Sequence, residues 1–97
     1  MMNDPFVVEQ TQHWARRGMS QVPIGSDDKA WSEGVRARIE WFYRSGFGRQ
    51  PSSRETWAAA QFIVEQSERQ ALKLDSLELW QELAHALVNT KEFIFVR

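Results

Sequence analysis

Leu77-Glu78-Leu79-Trp80-Gln81-Glu82-Leu83-Ala84-His85-Ala86-Leu87-Val88 carries the strongest hydrophobic periodicity in the chain. Leu77, Trp80, Leu83, Ala84, Leu87 and Val88 recur at three- and four-residue intervals, which aligns them on one face of an α-helix. A stripe this wide has to be buried against other elements. Asp75 or Ser76 supplies the start, and Asn89 the stop, because asparagine tolerates left-handed backbone. Thr90-Lys91-Glu92 then reads as a turn that carries Phe93, Ile94, Phe95 and Val96 back over the same core.

Reading outward from this helix, the preceding chain offers three partners for it. Ser52-Ser53-Arg54-Glu55 is a capping box, in which the Ser52 hydroxyl accepts the N–H of Glu55 and the Glu55 carboxylate reaches back to the N–H of Ser52. It opens a helix over residues 53–69, with Ala59, Ala60, Phe62, Ile63 and Gln66 inward. Before it, Val35, Ile39, Phe42, Tyr43 and Gly46 predict a helix from Asp28 or Ser32 to Ser45, with Arg36, Arg38, Glu40 and Arg44 mostly off its buried stripe. Asp4-Pro5 caps a first helix over residues 5–17, with Phe6, Val7, Gln10, Trp14 and Ala15 inward and Gly18 as its terminator. Residues 18–30 crowd Gly18, Ser20, Pro23, Gly25, Ser26, Asp27 and Asp28 into an irregular connection, which is either mobile or pinned by Met19, Val22 and Ile24. No stretch alternates with period two. The expected fold is all-α, a small bundle of three to four helices, forming a single domain over 1–97 or the C-terminal fragment of a larger one. Its inner face draws on Val35, Ile39, Phe42, Tyr43, Ala59, Ile63, Trp80, Leu83, Leu87 and Phe93, and the first helix is expected to dock less firmly than the others.

Composition removes several function classes. Lys+Arg 12 against Asp+Glu 13 gives a net charge of -1 over 97 residues, so a basic face for nucleic acid is disfavoured. Arginines concentrate in the first 54 residues while acids cluster later, an asymmetry that suits packing of one half on the other, or on another copy, better than DNA. No run approaches the ~18 apolar residues of a membrane span. With Cys 0 there are no disulfides, thiolate metal sites or cysteine nucleophiles. Trp 5 and Phe 6 are more large rings than a bundle of this size hides, so some are expected to face a neighbour.

Three segments together resemble a known family. They are Met2 through Gln10, Ile39 through Glu55 with Phe47-Gly48-Arg49-Gln50-Pro51, and Leu79 through Phe95. In order and spacing they resemble the C-terminal part of the domain of unknown function that accompanies planctomycete-type cytochrome c domains in large planctomycete proteins. The stretch 18–34 is longer and more polar than the family's, and Gln50 stands where the family tends to have proline. The resemblance implies an exported, cell-envelope setting for full-length relatives. No apolar export segment follows Met1, so the location stays open.

The candidate contact residues are Arg49, Glu55, His85, Asn89 and Glu92. Arg49 matches an arginine typical of the family; its simplest role is a salt bridge to Glu55 or Glu92, and its alternative a partner or anion contact. His85 matches a family histidine, but with His13 as the chain's only other histidine, a structural or surface role is expected and no metal or haem site. Asn89, Thr90 and Glu92 have plain uses as helix stop, cap and first-turn acid. No nucleophile elbow or phosphate loop is present, since Gly46-Phe47-Gly48 lacks a third glycine and a preceding strand. The expectation is a non-catalytic helical module without cofactor, acting through packing and protein contact, and prone to self-association. The alternatives are a support segment of a larger electron-transfer or carbohydrate-active assembly, or a small nucleic-acid-binding regulator.

Overall fold

The structure, a computed structural model, describes residues 5–25, 29 and 31–90. Among them are four helices and no strand: α1 Pro5–Gln21, α2 Glu33–Phe47, α3 Ser53–Gln70 and α4 Leu77–Val88. They pack in a ring, α1 on α2, α2 on α3, α3 on α4 and α4 back on α1. The expected all-α bundle is what forms.

Helix ends follow local chemistry. The Ser52 hydroxyl accepts from the Glu55 N–H at 3.1 Å and the Ser52 N–H donates to Glu55 Oε1 at 2.8 Å, which completes the capping box. Ser32 caps α2 by accepting the Val35 N–H at 3.2 Å. Gly48 closes α2 in the left-handed region at φ 73°, a conformation that suits glycine, and its N–H donates to the Arg44 carbonyl. Ala71 closes α3 at φ 55°, the one non-glycine residue with positive φ among those described. Asn89 ends α4, though not through left-handed backbone. It sits at φ -83°, ψ 0°, and its side-chain amide donates to the His85 carbonyl at 3.0 Å.

The fourth helix buries Leu79, Trp80, Leu83, Ala84, Leu87 and Val88, nearly the stripe its periodicity predicted. Trp80 is the largest fully buried side chain, and its indole N–H donates to the Leu74 carbonyl at 2.7 Å, so its one polar atom is satisfied. Phe42 stacks on it at 5.9 Å between ring centroids. Val35, Ile39, Tyr43, Ala59 and Ile63 are buried as expected. Phe93 and Glu92 lie outside the described residues.

The first helix departs from expectation in three ways. It runs to Gln21, so Gly18 is an interior residue and the irregular connection begins at Val22 rather than at 18. It buries Val7, Thr11, Trp14, Ala15 and Gly18, while Phe6 and Gln10 are exposed. It also docks along α4 more extensively than any other helix pair packs, so it is not the loose member. Gly18 accounts for the first of these. A Cβ there would stand 2.8 Å from two Phe42 ring carbons, so only glycine lets α1 approach α2 this closely and continue.

Candidate functional site

Two polar clusters and one groove hold the chemistry of the described residues. The first cluster was not legible in the sequence. Arg38 lies on the buried side of α2 with its side chain 0% exposed. Its Nε donates to the Val22 carbonyl at 2.8 Å, Nη1 to Asp75 Oδ1 at 3.1 Å and Nη2 to the Met19 carbonyl at 3.5 Å, and the guanidinium stands 4.9 Å over the Trp80 ring. Burial lowers its pKa, an effect opposed by the hydrogen bond and charge of Asp75. A guanidinium titrates so high that it stays charged at neutral pH. With its three nitrogens donating to acceptors in the last turn of α1, in the connection and at the α4 entry, Arg38 ties these segments to α2. Its position one helical turn from Val35 and Phe42 was the available signal; the charge masked it.

The second cluster joins two of the predicted contact residues. Arg49 Nη1 and Nη2 donate to Glu55 Oε1 and Oε2 at 2.9 and 2.8 Å, a bidentate pair, and Nη1 also reaches the Gln50 carbonyl at 2.9 Å. The guanidinium lies 5.6 Å from the Tyr43 ring and 5.9 Å from that of Phe47. The Arg49 hydrogen bonds, then the Ser52 N–H, lower the Glu55 pKa from 4.5 to about 2. The pair pins the α2–α3 turn onto the α3 cap, and Arg49 takes Glu55, one of the two carboxylates the sequence offered. His85 and Asn89 meet at the end of α4, through the His85 carbonyl rather than its ring. His13 is exposed on α1. Among the described residues no group of three His, Asp or Glu could hold a metal ion.

The groove lies between α2 and α3 and encloses about 590 Å³. Ile39 and Ala60 form its buried floor, and Pro51, Ser53 and Thr56 line its α3 side. Over it stand Trp31 and Trp57, 60% and 56% exposed, their rings stacked 6.4 Å apart at 21°. They are two of the three large hydrophobic side chains exposed among the described residues; the third is Phe6. Glu33, Arg36 and Glu40 supply the charge of the groove. Arg36 donates to Glu33 at 3.3 Å, and both side chains are well exposed. Glu40 is half-buried and forms no ion pair or hydrogen bond among the described residues. The excess of rings in the composition foretold exposed aromatics. Which rings, and that they come together, required two helices to meet.

Compared with protein-family models, curated proteins and solved structures, the chain matches none.

Proposed function

We propose that the protein is a non-catalytic helical module that works through contact with another polypeptide, and that the contact face is the groove between α2 and α3 under Trp31 and Trp57. One observation carries this reading: two tryptophans stack on each other at the surface, beside a core that is complete without them. Exposed aromatic area of this kind is what protein interfaces bury at their centres. The electrostatics of the chain support the non-catalytic half of the reading. Among the described residues the most strongly shifted carboxylate, Glu55, is driven down and held ionised by Arg49, whereas a general acid or base needs a pKa brought near the working pH.

The test is site-specific photo-crosslinking in the native cell, from position 57 and, as a reference, from exposed Glu65 on the same helix. The reading expects polypeptide adducts from position 57, with this chain or another, that disappear with Trp31→Ser. Adducts equally frequent from position 65 would refute it. The resemblance of the three segments to the closing part of the planctomycete domain suggests the setting, a supporting piece of a larger envelope assembly. Reading the coding sequence before Met1 for a continuing frame with a Cys-x-x-Cys-His motif tests that setting.

A further inference from the structure

The charges of the groove do not cancel. At its rim Arg36 is taken by Glu33, which leaves Glu40 as the one lining charge without an opposite partner among the described residues. Its side chain is half-buried beside the apolar floor of Ile39 and Ala60, where a carboxylate has lost part of its hydration and gains most from a cation. The two indoles favour the same sign. A tryptophan face carries negative quadrupolar potential and attracts an ammonium or guanidinium group, and its apolar area covers the aliphatic stem of a lysine or arginine. The same bundle already uses this chemistry internally, with Arg38 between Asp75 and the face of Trp80.

Resting on the contact reading above, we propose that the groove takes an extended basic segment of another protein, with a lysine or arginine head at Glu40 and its stem and apolar neighbours against Trp31 and Trp57. A groove of about 590 Å³ exceeds what one cationic side chain fills, so residues flanking the cation occupy the remainder. An acidic segment would set a second carboxylate against Glu40, and a purely apolar one would cover Glu40 without a partner.

The experiment titrates isotope-labelled protein with three capped pentapeptides and reads amide shifts of α2 and α3. The peptides are Ac-Ala-Leu-Lys-Leu-Ala-NH2 and its counterparts with norleucine or glutamate in place of lysine. The lysine peptide is expected to shift the groove amides and to bind about fivefold or more tighter than the norleucine peptide, the equivalent of ~1 kcal/mol. Glu40→Gln is expected to remove that preference without changing the fold, and added salt to narrow it. Trp57→Ser, at an exposed position, weakens all binding. A lysine preference that survives Glu40→Gln, a glutamate peptide bound as well as the lysine one, or no groove shift with the lysine peptide overturns the proposal. Equal binding of lysine and norleucine peptides, abolished by Trp57→Ser, also overturns it but leaves the contact reading intact. Loss of the position-57 adducts together with every peptide shift sinks the contact reading itself.

Discussion

Removing Asp75 strands a buried charge without its carboxylate. In Asp75→Ala the Arg38 guanidinium, wholly shielded from solvent, keeps only the Val22 and Met19 carbonyls and the face of Trp80. Breaking a buried ion pair from one side costs about 3–5 kcal/mol. The Asp75 side chain is itself 33% exposed, so water already weakens this pair, and the expected loss falls to ~2–3 kcal/mol. Arg38→Met keeps the stem against Trp80 and removes the charge. Two carbonyls lose a donor while Asp75 turns to solvent, for a loss of ~1–2 kcal/mol. In the double variant the cation that made Asp75 necessary is gone, so its cost should match Arg38→Met alone, giving a coupling of ~2–3 kcal/mol. Urea unfolding at neutral pH followed by far-ultraviolet circular dichroism measures all four species. Additive losses, or an Asp75→Ala loss below ~0.5 kcal/mol, would refute the picture of a desolvated cation held by one carboxylate.

Three further outcomes follow from the same packing. Glu55 titrates near 4.5 when unfolded and at about 2 when folded, so its contribution is full above pH 4.5 and is lost as pH falls towards 2. Because Arg49 and Glu55 are a third or more exposed, that contribution is ~1 kcal/mol; Glu55→Gln should lower the melting temperature by roughly 4–8 °C at pH 7 and converge with wild type at about pH 2, whereas Arg49→Ala, which also loses the Gln50 carbonyl and the Tyr43 and Phe47 rings, should stay below wild type there, as pH-dependent melting curves would show. Gly18→Ala should destabilise by ~1–2 kcal/mol in denaturant unfolding, despite alanine's better helix propensity, because the Phe42 ring it would strike is hemmed in by Trp14, Trp41 and Trp80; a gain in stability would show that α1 can shift away. Ala71→Gly relieves left-handed backbone at the end of α3 and should raise stability by ~0.5 kcal/mol in the same assay, with an unchanged or lower midpoint counting against the strain.

By itself the sequence determined the helical class, the stripe from Leu77 to Val88 and the Ser52–Glu55 box, because each depends on residues within a turn or two of one another, where helical spacing is unambiguous. It also supplied Arg49 with a carboxylate in Glu55, six positions on, but not the bidentate geometry of the pair. The length of α1 is not legible locally, because Gly18 has the local signature of a stop; its role comes from the Phe42 ring, 24 positions away in the chain, and no local rule contains that distance. Arg38 reads as mostly off the buried stripe for the same reason, since charge predicts exposure until a second segment brings Asp75 and two carbonyls to meet it. The Trp31–Trp57 pair and the lone carboxylate of Glu40 belong wholly to the tertiary structure. A groove exists only where two helices and the turn before one of them converge, and that convergence is set by core packing, in which its own floor residues Ile39 and Ala60 take part.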